Sequence, residues 1–188
     1  GYIGQTITTV FPTSISVDTA TIATANISNQ LTDANMASGS VVQVGHQTTS
    51  GSSNSTASSS ITSYTDSGLS VTITPTSTSN KILVFGSFCI GVHKASVGTS
   101  ARIDLRLVNS DASEIAYEQR FVGTDYQGSG NLSVLDTFHG YFTPSSTSSQ
   151  TYKVQVRVAD GDSNGAHTIT LLWYTNAKHT MTAMEIVG

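Results

Sequence analysis

The most ligand-like spacing in this sequence is Asp160-Gly161-Asp162-Ser163-Asn164-Gly165. Carboxylates at alternate positions before a glycine turn form the first half of a calcium loop, where oxygens wrap a hard cation. The twelfth position of such a loop should be a bidentate Glu, but here it is Leu171, inside an expected strand. No helices flank the segment, which excludes an EF-hand. Residues that tolerate φ > 0 make it a β-hairpin connection first. A weak Ca2+ site on Asp160, Asp162 and Asn164 is the alternative, and no other cofactor is expected.

A second segment suits binding. Gly123 to Asn131 places Asp125, Tyr126, Gln127 and Asn131 on a glycine-flexed loop. Sugar recognition uses such groups, with C–H faces on an aromatic ring and hydroxyls on planar polar side chains. Loops also carry function more often than framework strands do. These four residues are the receptor-binding candidates, and a polar hairpin with Tyr126 packed locally is the plainer alternative.

Catalytic chemistry finds less support. A site needs a nucleophile with its base, paired carboxylates or converging metal ligands. The chain holds no Gly-x-Ser-x-Gly elbow, no His-Glu-x-x-His, no phosphate loop and no Gly-x-Gly-x-x-Gly. Its one cysteine, Cys89, falls in an apolar strand and reads as an inert core thiol. The histidines, His46, His93, His139, His167 and His179, are scattered singly. Asp136 and His139 differ in strand parity, so they should face opposite ways. No catalytic residue is assigned, and the chain is not expected to be an enzyme.

The elements that must carry these residues are strands. Val42, Val44 and His46 alternate with Gln43, Gly45 and Gln47; Leu69, Val71 and Ile73 alternate with Ser70, Thr72 and Thr74 until Pro75. Lys81 to His93 is almost continuously apolar, the mark of a strand covered on both faces. Ile103 to Leu107, Ile115 to Phe121, Leu132 to Phe142 and Tyr152 to Val158 alternate again, and Thr168–Tyr174 and Thr180–Val187 complete the set. Turn residues separate the runs, among them Asn109 to Ser113 and Pro144 to Ser149. The expected fold is all-β: a jelly-roll-like sandwich of about eight to ten antiparallel strands.

Composition divides the chain. Its 188 residues include 29 Ser and 28 Thr, only 11% charged residues and a net charge of -4, and the first Lys or Arg is Lys81. A sparse basic complement argues against nucleic acid. No apolar run approaches the roughly 18 residues of a membrane-spanning helix. No basic segment followed by an apolar stretch opens the chain, so a signal peptide is not expected, and Gly1 as first residue points to a processed form or fragment. Over residues 1–38 single apolar residues, Ile3 to Met36, sit among Thr, Ser, Ala and Asn. Ala25-Asn26-Ile27 and Ala34-Asn35-Met36 echo each other. Such repeats cannot bury themselves and stack on other chains, so residues 1–38 read as a fibrous stalk and 39–188 as the globular domain; a disordered linker is the alternative. Ser50 to Ser60 reads as a loop.

Three segments then carry a resemblance: Gly39-Ser40-Val41-Val42-Gln43-Val44 after the repeat, Gly68 to Pro75 followed by Lys81-Ile82-Leu83-Val84, and the closing Met181 to Ile186. Together, over about residues 20–188, the chain resembles the C-terminal domains of bacteriophage tail fibres and virion appendages of marine and cyanobacterial type. The resemblance implies a homotrimer in the virion, attached to other virion proteins, whose domain contacts a bacterial surface polysaccharide or protein. It carries no depolymerase signature. The alternative is a structural virion component, such as a capsid-decorating or head-fibre protein. In length and strand count the domain is also similar to trimeric jelly rolls of the tumour-necrosis-factor and C1q kind, a likeness of fold only. Arg102, Asp104, Arg106 and Glu185 are candidates for pairs between subunits, or for plain solvated edges.

Overall fold

The computed structural model describes residues 36–50, 55–58, 63–94, 101–123, 130–158, 167–171 and 177–188. These hold ten strands and no helix: β1 (Val41–Ser50), β2 (Ser55–Ser58), β3 (Thr65–Ile73), β4 (Lys81–Lys94), β5 (Ala101–Asn109), β6 (Ile115–Gly123), β7 (Gly130–Phe142), β8 (Gln150–Val158), β9 (His167–Leu171) and β10 (Lys178–Ile186). The expected stalk lies outside the described residues, apart from its last three. Within the stretch expected as a loop, residues 55–58 instead form β2, because their backbone completes a ladder against β9.

One sheet contains six strands in the order β1-β10-β4-β9-β2, with β7 also on β4. These six fill four ribbon positions. The long β4 meets β7 along its whole length, while its other edge meets β10 over Lys81–Ser87 and β9 over Ile90–Lys94. Beyond them, β1 pairs with β10 and β2 with β9. The second sheet is β3-β8-β5-β6. Every pairing in both sheets is antiparallel.

If β1/β2 and β9/β10 are each counted as one interrupted strand, the chain order is first-eighth-third-sixth in one sheet and second-seventh-fourth-fifth in the other. That is the double Greek key of a jelly roll. The expected sandwich is what the chain forms.

The core lies between the two sheets. Ile82, Val84, Phe88, Ile90, Phe138, Phe142, Met181 and Ala183 come from the first, and Leu69, Val71, Ile73, Leu105, Leu107, Tyr152, Val154 and Val156 from the second. Each Val, Leu, Ile, Phe or Met side chain so removed from water is worth about 1.5–3 kcal/mol. The Phe142 and Tyr152 rings join the sheets at 4.5 Å between centroids. Burial, with the charges of Glu114 and Glu185, pushes the Tyr152 hydroxyl up to about 12.

Alternation predicts which face is inward for most strands but fails on β1. Its Val44 is 55% exposed and shares the outer face with His46. The inner positions go to Gly45, where a Cβ would press on the Thr72 carbonyl at 2.9 Å, and to Gln43, which serves a buried carboxylate. The inner face therefore has no room for valine at 45 and a polar task at 43.

Candidate functional site

Asp125, Tyr126 and Gln127 lie outside the described residues, as do Asp160, Asp162 and Asn164 of the expected turn. Asn131 is placed on β7, across from His93 of β4. Among the described residues no group of three or more His, Cys, Asp or Glu could hold a metal. Cys89 is buried, and burial pushes its thiol up. His179, also buried, accepts the Cys89 backbone N–H at Nδ1 over 3.1 Å. His46 bonds Thr182 and Thr48 through its two ring nitrogens. Asp136 points towards the sheet interior with Phe138 and His139 away from it, as parity requires.

The two outer faces of the sandwich differ in kind. On the four-stranded sheet a chain of charged and amide groups runs across β3, β8 and β5. Asp66 accepts from Lys153 Nζ at 3.0 Å and Gln155 Nε2 at 2.6 Å, and Gln155 Oε1 accepts from Arg106 Nε at 2.9 Å. The Arg106 and Arg157 guanidiniums lie 3.9 and 4.6 Å from the centroid of the Tyr64 ring. Arg157 places Nε and Nη2 each 2.9 Å from one oxygen of the buried Asp104. Tyr64 donates its hydroxyl to Glu118 at 2.6 Å; burial and that bond push it up to about 12.

Asp104, Arg106 and Glu185 each find partners within their own chain. Sequence reading missed Tyr64. A lone tyrosine just before a strand carries no periodic signal.

On the outer face of the other sheet charge nearly vanishes. Register aligns Val44, Met184, Leu83 and Tyr141 in one row across β1, β10, β4 and β7, then His46, Thr182, Phe85 and His139, then Thr48, Thr180, Ser87 and Thr137. Leu135 stands beyond them, 76% exposed, with Tyr141 at 60%. Leu83, Phe85 and Met184 are only half-buried. Sequence marks β4 as apolar on both faces, yet the described residues fully cover only one.

A third feature sits where the β5–β6 hairpin meets the β7–β8 connection. A cavity of about 300 Å³ there is lined by Asn109, Asp111, Glu114, Gln150 and several hydroxyls. A second, of about 230 Å³, adjoins it across the shared Ser110 and is bordered by Asp66 and Lys153.

One inward carboxylate lacks compensation. Asp136 Oδ2 is buried with no hydrogen-bond partner among the described residues. Burial raises its carboxyl, with one backbone bond from Thr137 opposing. Burial and the charge of Asp136 also raise the nearby Tyr117. A raised carboxyl contributes stability below the unfolded value, and that contribution is lost as pH rises through the folded one. Asp136→Asn should therefore stabilise the domain by about 1 kcal/mol at neutral pH, and the gain should vanish in acid. Urea midpoints at both pH values measure it.

No family model matches the chain, and no curated protein matches it. Among solved structures, it is similar to a point mutant of the VP2 protein of infectious bursal disease virus in derived T=1 particles. The TM-score is 0.31 and the identity 17%, over 95% of this chain and 41% of that one. The chain thus spans about two fifths of the VP2 chain it matches. It is also similar to a marine algae virus of the order Picornavirales, with a TM-score of 0.15 and 13% identity, over 100% of this chain and 87% of that one. Neither likeness is close enough to carry a role across.

Proposed function

We propose that this chain is a virion fibre or appendage protein whose β-sandwich associates as a homotrimer. It attaches, without catalysis, to a polysaccharide or protein of a bacterial surface. The observation that carries the association is the charge-poor outer face of β1-β10-β4-β7, in which Leu135 and Tyr141 are 76% and 60% exposed. The occupant that suits it is another copy of the same chain. Four ribbons about 4.8 Å apart and some seven residues long present roughly 450 Å² in projection. A stable interface takes about 800 Å² per partner, so this patch and its rim supply an interface of the right order. The opposite sheet, laced with ion pairs, suits water. The sequence resemblance to phage fibres supports placement in the virion, and three copies on one tip would strengthen weak attachment by avidity.

Sedimentation equilibrium of the full chain tests the reading. The expected mass is three times 19.7 kDa. Leu135→Arg with Tyr141→Arg should give folded monomers, because both side chains are already largely in water within one chain. Compact monomers of the unaltered chain at micromolar concentration would overturn the trimer. A trimer that adheres to no bacterial envelope would leave the structural role alone.

A further inference from the structure

The attachment reading leaves open what is bound and where. The cavity beside the β5–β6 hairpin gathers two carboxylates, two amides and several hydroxyls around one hollow. Its volume, about 300 Å³, lies at the lower end of small-ligand pockets and accommodates one sugar ring. A second cavity of about 230 Å³ shares Ser110 with it, but its Thr151 and Lys153 project from the face of β8 opposite to Gln150 and Tyr152.

The walls are set before any ligand arrives. Asn109 Oδ1 accepts the Glu114 backbone N–H at 3.1 Å, and its Nδ2 donates to Ser113 Oγ at 2.9 Å. Asp111 Oδ1 accepts from both the backbone N–H and the hydroxyl of Ser113, at 3.1 and 2.7 Å. On the facing wall, Gln150 donates from Nε2 to the Ser146 carbonyl at 2.7 Å and accepts from the buried Tyr152 hydroxyl at 3.1 Å. The hairpin apex is Ala112 at φ 58°, a left-handed conformation that a residue with a Cβ rarely adopts. Strain of this kind persists where surrounding bonds over-determine it, and it gathers at binding sites. Fixed polar groups bind at little ordering cost.

We infer that this groove is a saccharide site, in which the carboxylates of Asp111 and Glu114 accept hydroxyls of a neutral sugar. The inference rests on the attachment reading and names its ligand class. A carboxylate offers about four lone-pair sites, so Asp111 keeps accepting capacity beyond its bonds to Ser113. Two carboxylates on one wall repel a uronate. In the second cavity Asp66 is engaged by Lys153 at 3.0 Å, so no unpaired cation there favours an anionic sugar.

The test is saturation-transfer NMR on the full chain with mannotriose, tri-N-acetylchitotriose and trigalacturonate, each at about 5 mM, a range suited to millimolar dissociation constants. Either neutral trisaccharide is expected to bind at least about tenfold more tightly than the uronate, a 1.4 kcal/mol difference. Ser149→Trp fills the cavity from an exposed position outside the hairpin's bonds, and it should abolish the signal. Glu114→Ala, which keeps the backbone bond to Asn109, should weaken it severalfold. Saccharide binding that survives both variants overturns the groove and leaves the attachment reading standing. So does adhesion of the full chain to bacterial envelopes without any trisaccharide signal. Absence of both adhesion and signal overturns the attachment reading as well.

Discussion

Glu185→Ala should cost the domain about 3–5 kcal/mol, because it strands several donors at once and each orphan costs about 1–3 kcal/mol. The carboxylate is fully buried near the end of β10. One oxygen accepts the backbone N–H of Thr76 at 2.8 Å, that of Ser77 at 3.3 Å, the Thr76 hydroxyl at 2.8 Å and Asn80 Nδ2 at 2.9 Å. The other accepts Gln43 Nε2 from the edge strand β1. A single side chain therefore ties the β3–β4 turn, β10 and β1 together using neutral donors. Glu185→Gln keeps one oxygen for the turn and should cost less, about 1–2 kcal/mol.

Burial pushes this carboxyl up, but the bonds from Gln43, Asn80 and Thr76 outweigh it and hold it below the ordinary 4.5. A depressed carboxyl lends its stability above the unfolded value and loses it as pH falls through the folded one. The domain should weaken below about pH 4.5, and Glu185→Gln should remove part of that slope. Asp66 has the same sign, since its bonds to Gln155 and Lys153 outweigh burial, whereas Asp136 runs the other way. Urea midpoints from pH 7 to pH 3 separate the three contributions.

How far the sequence carries is clear from where its rules are local. Alternation in Leu69–Ile73 and Tyr152–Val156 assigned inner and outer faces correctly, because period two is a property of one strand. Asp136 and His139 face opposite ways for the same reason. Strand order was beyond reach, since nothing in β9 announces that it continues the ribbon of β10 along β4.

The interior role of Glu185 was equally hidden. Its donors lie 105 to 142 residues away in the chain, and a lone Glu near a terminus looks like a solvated end. The Asn109–Ser113 turn was visible as a turn, but its meeting with Ser145–Gln150 depends on two connections folding to the same corner. The loop residues favoured for binding from sequence, Asp125, Tyr126 and Gln127, fall outside the described residues.

Gly86→Ala should cost about 3 kcal/mol, the upper part of the usual range for overfilling a core, although its φ is not left-handed. On β4, opposite Met181, a Cβ at this position would strike the Thr180 carbonyl oxygen and approach Phe138 Cζ at 2.8 Å and Met181 Cα at 3.1 Å. Two of those three atoms belong to the backbone, which cannot rotate aside as a side-chain tip can. Relief requires β10 to move off β4, and β10 also holds Glu185 and the ladder to β1.

Gly68 offers the internal comparison. Its φ is 85°, but a Cβ would meet nothing within 4 Å, so Gly68→Ala should cost only the left-handed strain, about 1–2 kcal/mol. If denaturation midpoints ranked Gly68→Ala as the more damaging of the two, the close approach of β4 to β10 would not govern the sheet. Double substitution of Gly86 and Glu185 probes the same contact from both strands. Both act on the seating of β10, so the combined loss should fall short of the sum of the single losses, as neighbouring sites that share one structural element do.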